Sequence, residues 1–300
     1  MVDMQVNRTL CNTLCGFVLL LVTLLPKLSQ AQEIEPRAYS NAPIGLNFIA
    51  GGIAQAKSSQ HTLTSEVLTY AHIFDVGGQS AKLGIALPYA KLSGTAKIGG
   101  QTFNASSEGL SDPIIRASVN LYGAPALSSE EFKSYKQDLI IGASMAASIP
   151  WGKYDSNQLL NVGANRWFIQ PGFGGSQAIG PWRFELAGAA TIFTDNKNFV
   201  GGNSLSQAPI YSAESHVIYY LPSTAWLSVD ATYFTGGQSS INGNPTSASQ
   251  ENWRFGATFS TPIDKHNAIK FYASTGAYSR TSNNYDLIGV AWQYRWGPGI

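Results

Sequence analysis

Charge is the scarcest ingredient of this 300-residue sequence. Asp, Glu, Lys and Arg make up 12% of it, about half the ~25% usual for a soluble domain. Mean hydropathy is −0.05, so no apolar excess fills the gap. Glycine, at 30 residues, and aromatics, at 12%, take the place of charge together with Ser, Ala, Asn and Thr. A disordered chain needs high net charge and few aromatics, and is excluded. Beyond the N-terminus there is no apolar run of about 18 residues, which argues against a helical membrane protein. A formal net charge of +1 with no Lys/Arg block leaves no footprint for nucleic acid. Cysteine occurs only at Cys11 and Cys15, both in the N-terminal apolar stretch. A disulfide scaffold is therefore excluded for the rest of the chain. No His-Glu-x-x-His or thiol spacing suggests a metal, and no cofactor is expected.

The N-terminal residues read as an address. Arg8 precedes an apolar stretch over residues 10–25 that ends at Pro26, and Ser29-Gln30-Ala31 supplies the small residues of a cleavage site. The expected organisation is an export signal over 1–31, a short segment over 32–42 and a barrel over 43–300. A retained membrane anchor is the alternative for the leader.

What remains alternates with period two. Ile115, Ala117, Val119 and Leu121 oppose Arg116, Ser118 and Asn120; Trp253, Phe255, Ala257 and Phe259 oppose Arg254, Gly256, Thr258 and Ser260. Such segments recur near 43–54, 63–75, 80–92, 111–122, 136–149, 165–176, 181–194, 208–221, 225–235, 251–261, 267–279 and 285–296. Only residues 129–134 offer a helical turn. The connections near 76–79, 177–180, 222–224 and 262–266 are short. Those near 93–109, 150–164, 195–207 and 236–250 are long and rich in Gly, Asn, Ser and Gln, while 123–135 breaks the rule by its length. The pattern predicts an all-β fold: a closed antiparallel transmembrane β-barrel of about twelve strands, with short periplasmic turns and longer extracellular loops.

A soluble sandwich or soluble barrel would carry Lys and Glu on its outer face. Here the polar face is Gly, Ala, Ser, Thr, Asn and Gln, which suits a narrow wet lumen. Trp167, Trp182, Trp253 and Trp296 sit near strand ends on the apolar face, as interface girdles do. Trp226 does not, since it shares parity with Ser228, Asp230 and Thr232. The last segment, with Ile288, Val290, Trp292, Tyr294 and Trp296 on one face, resembles the C-terminal strand read by the bacterial barrel-assembly machinery, although Gly297-Pro298-Gly299-Ile300 follows it.

Several stretches carry a wider likeness: Glu35-Pro36-Arg37-Ala38-Tyr39-Ser40-Asn41-Ala42-Pro43, Gly109-Leu110-Ser111-Asp112-Pro113, Pro150-Trp151-Gly152-Lys153-Tyr154-Asp155, Gly163-Ala164-Asn165-Arg166-Trp167, Phe193-Thr194-Asp195-Asn196 and Tyr294-Arg295-Trp296-Gly297. In their order and spacing the chain resembles the outer-membrane barrel family named for a role in the meta pathway of phenol degradation. The resemblance implies a channel in the bacterial outer membrane, with outer-membrane lipids around it and aromatic or other small hydrophobic molecules as its solutes.

By parity the inward set holds Arg116, Arg166, Arg183, Glu185, Glu214, His216, Asp230, Arg254, Lys270 and Arg295. These are the candidate pore-lining residues, whose opposed charges would filter solutes. Arg183 with Glu185 and Arg254 with Glu214 could instead simply neutralise each other. Arg37 and Tyr39 are candidates for a lumen plug, the alternative being a loose periplasmic lead. No enzyme is expected. A barrel phospholipase needs a serine activated by a histidine, and His61, His72, His216 and His266 begin no His-x-Ser pair. A structural or adhesive barrel acting through its long loops is the other alternative.

Overall fold

The computed structural model describes residues 35–98, 101–158, 160–246, 249–279 and 284–299. The export signal expected over 1–31 lies outside the described residues. Hydrocarbon offers no water to an unpaired strand edge, so alternating strands in lipid must close on themselves. The closure is direct. β1 (Asn47–Ser58) and β17 (Tyr285–Trp296), the first and last strands, pair antiparallel from Asn47↔Trp296 to Ser58↔Tyr285. Between them the wall runs through β2 (His61–Val76), β3 (Gln79–Ile98), a split fourth position, β6 (Leu139–Ser148), β7 (Phe168–Ile179) and β8 (Trp182–Phe193). It continues with β11 (Ile210–Tyr220), β12 (Trp226–Gly236), β15 (Gln250–Pro262) and β16 (Asn267–Ser279), which makes a closed antiparallel barrel of 12 strand positions.

The split position consists of β4 (Gln101–Leu110) and β5 (Ile114–Tyr122), both paired with β3. Proline at 113 has no N–H to give the ladder, and the strand breaks there. The remaining short strands, β9 (Asn196–Phe199), β10 (Asn203–Gln207), β13 (Ser239–Ile241) and β14 (Asn244–Pro245), form a separate sheet built from two extracellular connections. Its core is Phe199, Leu205 and Ile241. One helical turn, α1 (Ser129–Phe132), occupies the long periplasmic connection behind a capping box of Ser128 and Glu131.

Short turns define the periplasmic side. The β2–β3 hairpin turns on Gly77 and Gly78, both at positive φ, and Asp75 accepts the Gly78 N–H at 2.7 Å. Two successive left-handed residues match the twist of the paired strands, which explains a glycine pair. Residues 93–109, expected as a loop, are instead the top of the β3–β4 hairpin. The segment is filled largely with Gly, Ser, Thr, Ala and Asn, so no apolar alternation marks it as strand.

Outward residues are lipid-facing in composition: Leu186, Val229 and Ile288 are more than half exposed, whereas inward Ile218 and Glu214 are at most 1% exposed. Trp182 packs on Tyr219 at 4.6 Å and Trp253 on Tyr233 at 4.9 Å between ring centres, on opposite rims. Trp226 points inward, 7% exposed.

Phe255 projects outward near the middle of β15. Phe255→Arg should destabilise the folded barrel by about 2–4 kcal/mol, the cost of a cation near the bilayer midplane. Reversible unfolding in urea from liposomes would check this, and an unchanged midpoint would reverse the assigned face.

Candidate functional site

The barrel encloses a cavity of about 1500 Å³. Its walls differ from side to side. Along β17, β1, β2 and β3 the inward positions are mostly small or apolar, including Ala50, Gly52, Val67, Gly84, Ala86, Pro88, Ala90, Leu92 and Ala291. Towards the extracellular end this wall closes into a cluster of Ala56, Leu63, Ala90, Leu92 and Leu160, with Val162, Tyr285 and Leu287 packed on it. Across the lumen, β8, β11, β12 and β15 present Glu185, Glu214, His216, Ser228, Asp230, Thr232, Arg254 and Thr258, nearly all of them buried.

Residues 35–46 lie inside the barrel and run to its periplasmic rim. Tyr39 is 2% exposed. Its ring fills a slot made by two inward glycines: a Cβ on Gly142 would stand 2.5 Å from the ring, and one on Gly174 2.6 Å from it. Its hydroxyl meets Ser144 Oγ at 3.2 Å. The Arg37 N–H donates to Glu185 Oε2 at 2.8 Å, and its guanidinium lies 5.4 Å from the Trp226 ring and 5.5 Å from that of Tyr220. Trp226, the tryptophan that fits no girdle, is therefore a cation–π partner of this segment. Glu35 meets Lys270 Nζ at 2.8 Å, and Lys82 donates to the Ala38 carbonyl at 3.3 Å. The charge and hydrogen bond of Lys270, then the charges of Arg116 and Lys82, hold the Glu35 carboxyl down to about 2. At the rim, Gly45 N–H bonds to the Ile73 carbonyl and Ile44 N–H to that of Leu127.

The sequence-derived ionisable set divides into groups. Arg116, Arg166, Arg183, His216, Asp230, Arg254, Lys270 and Arg295 line the cavity; Glu185 and Glu214 do not reach its surface. Glu185 is covered by Arg37. His216 Nδ1 and Asp230 Oδ1 are 2.8 Å apart, and Asp230 also accepts from Ser228 at 3.2 Å. The other ring nitrogen of His216 has no hydrogen-bond partner among the described residues. Arg183 donates to the carbonyls of Gly180 and Trp182 while Glu185 receives Arg37, so these two do not form an ion pair. Arg254 donates to Ser274 Oγ and the Tyr285 carbonyl, and its guanidinium lies 3.6 Å from the centre of the Tyr285 ring. Arg166 sits just before β7 rather than within it; it bonds Gln207 and stacks 4.4 Å over Phe193. Arg295 lies at the periplasmic rim, bonded to the Lys265 carbonyl. Sequence reasoning passed over Glu35 and Lys82. Lys82 has the parity of Gly84 and Ala86, which was the available signal.

A second assembly stands at the extracellular end. The carboxylate of Asp112, in the break between β4 and β5, accepts the N–H groups of Gly152 and Ala164, both at 2.8 Å. Lys153 N–H bonds to the Leu110 carbonyl, continuing the interrupted ladder into the loop over residues 149–167. Asn196 ties the neighbouring sheet to the same loop through Tyr154 Oη and Asn165. Phe199, Val200 and Leu205 of that sheet face the cavity.

The family profile described as "Putative MetA-pathway of phenol degradation" matches residues 47–296. Among solved structures, an outer membrane channel from Pseudomonas putida F1 is similar, at 18% identity and a TM-score of 0.75, over 88% of this chain and 100% of that one. The translocator domain of the autotransporter NalP from Neisseria meningitidis is 10% identical over 86% of this chain and 91% of that one, with a TM-score of 0.49. The transport unit of the autotransporter AIDA-I from Escherichia coli is 11% identical over 94% and 97%, also at 0.49. No curated protein matches. With the family profile matched from the first wall strand to the last, this chain belongs to the family described as the putative MetA pathway of phenol degradation, and it shares the barrel fold of an outer membrane channel.

Proposed function

We propose that the barrel is a narrow passage for small hydrophobic, including aromatic, molecules, with residues 35–46 as a plug in its lumen. The observation that carries this reading is the apolar wall along β17, β1, β2 and β3, which leads inward from the Leu63–Leu92–Leu160 cluster. A porin for polar solutes gains nothing from such a surface, because water must be held against it. An apolar molecule entering there exchanges a hydration shell for side-chain contact, while the small residues leave it room. The inward ions on the opposite wall serve as the selectivity side, with Arg37 closing over Glu185. The alternation of β17 supports its being the strand read by the assembly machinery.

A hydrolase is disfavoured by the partners of His216. Asp230 is in place to orient it, but among the described residues no hydroxyl meets the other ring nitrogen, and Ser228 donates to the aspartate instead. For an adhesive barrel no specific observation speaks.

Leu92→Asn places an amide in the apolar wall, and stripping water from such a group costs about 1–3 kcal/mol. Uptake of 1-naphthol into vesicles with a lipopolysaccharide outer leaflet should fall several-fold, with assembly intact. Equal uptake would remove the wall from the route.

Plug displacement should follow from overpacking its slot. A methyl at position 142 forces out the Tyr39 ring or strains the wall by about 1–3 kcal/mol. Gly142→Ala and Tyr39→Ala should both raise single-channel conductance in planar bilayers; unchanged current in the two variants would rule out residues 35–46 as the barrier.

Acid should loosen the same segment. Glu35 ionises near 2 when docked and at its ordinary value of 4.5 when free. The ion-pair contribution to docking is therefore complete above about 4.5 and fades as pH falls towards 2. Conductance recorded from pH 7 down to 2.5 should rise below 4.5, and that rise should vanish in Glu35→Gln.

A further inference from the structure

Three wall cations, Lys82 on β3, Arg116 on β5 and Lys270 on β16, converge on one carboxylate, that of Glu35. Lys270 holds it directly and Lys82 is drawn to the neighbouring Ala38 carbonyl. Arg116 faces the cavity and makes no hydrogen bond or ion pair among the described residues. Glu35 is thus a carboxylate set among several cations, in a site that remains open: its side chain is 72% accessible. A carboxylate fits because charge-assisted N–H···O bonds are the strong ones, and Glu35 already displays that fit.

The apolar wall starts at the same place. Gly84 lies opposite Arg116 in the β3–β5 register, two residues beyond Lys82, and Ala86, Pro88 and Ala90 follow on the same face. From Lys82 to Pro88 the strand covers about 20 Å at roughly 3.3 Å per residue. A head site for an acid therefore adjoins a wall able to take a tail of eight to ten carbons.

We infer that the Lys82–Arg116–Lys270 cluster receives the carboxylate of a small amphiphilic acid, and that Glu35 occupies it as a tethered surrogate until such an acid displaces the N-terminal segment. The inference rests on residues 35–46 being a displaceable plug. It narrows the solute from hydrophobic molecules in general to those bearing an acid group at one end. A short tether holds its end group at an effective concentration on the order of millimolar, so a weakly bound acid competes in that range.

The test uses the full chain in liposomes at pH 7, with Ser40→Cys as a reporter on the segment and Cys11 and Cys15 changed to serine. Labelling of position 40 by a polar maleimide reads undocking. Decanoate at millimolar concentration should accelerate labelling about tenfold, the effect of losing a charge-assisted contact of some 1.5 kcal/mol, while 1-decanol at equal membrane loading should not. Glu35→Gln should label fast without any acid. Lys82→Gln combined with Arg116→Gln weakens the hold on Glu35 and on the acid alike, so it should raise acid-free labelling and leave decanoate no more effective than 1-decanol. Equal acceleration by decanol and decanoate, or none by either while Glu35→Gln labels fast, would overturn the acid site yet leave a plugged hydrophobic passage standing. Fast labelling of the reporter chain before any addition would instead remove the plug, and the acid site with it.

Discussion

Lipid cannot hydrogen-bond a peptide group, and the rest of the architecture follows from that. Each wall strand must be paired on both edges, so β1 has to find β17 across the length of the chain. Once the ring is closed, every strand owns an inside and an outside, and period-two alternation sorts its residues between oil and lumen. The number of strands then sets a second problem. Eight strands make a lumen that side chains fill, and sixteen make one that water fills. Twelve leave a space of about 1500 Å³, towards which buried Glu185 and the inward rings of Tyr220 and Trp226 face. Residues 35–46 bring these groups a further partner from outside the wall, Arg37.

Closure, strand number and the lipid-facing set were legible in the sequence because oil imposes a repeated pattern. Phe255 could be assigned outward from its neighbours Trp253 and Ala257 alone. The top of the β3–β4 hairpin was not legible, because its Gly, Ser, Thr, Ala and Asn residues carry no apolar alternation. Nor was the break at Pro113, whose loop partners Gly152 and Ala164 lie some forty to fifty residues away.

The candidate site was half legible, for a related reason. Parity gave Arg116, Arg254 and Lys270 their inward direction, yet parity says nothing about which inward side chains meet. The lumen brings Lys270 to a glutamate 235 residues distant, and no local spacing encodes that. Two signals did exist. Trp226 broke the girdle pattern, and an aromatic facing a wet lumen needs a partner, which Arg37 provides. Gly142 and Gly174 are inward glycines in alternating strands, but only the structure places the Tyr39 ring between them. The stretches that carried the family resemblance also fall into spatial groups: residues 109–113, 150–155, 163–167 and 193–196 meet at the Asp112 clamp, and residues 35–43 are the segment inside the lumen.

The segment and the wall stand in an unequal relation. The wall is continuous hydrogen-bonded ladder, and the β1–β17 seam alone registers every residue of both strands. Residues 35–40 hold on through a backbone bond to Glu185, the Lys82 contact, the Tyr39 ring and its hydroxyl, and the Glu35–Lys270 pair. All of these reach residues distant in sequence, so they can form only after the barrel has closed, whereas nothing in the closure of the barrel calls on them. Opening the segment therefore leaves the ladders intact. Its cost is confined to a few polar contacts, the stacking of Arg37 on Trp226 and Tyr220, and one buried ring, a scale that a solute can match with contacts of its own.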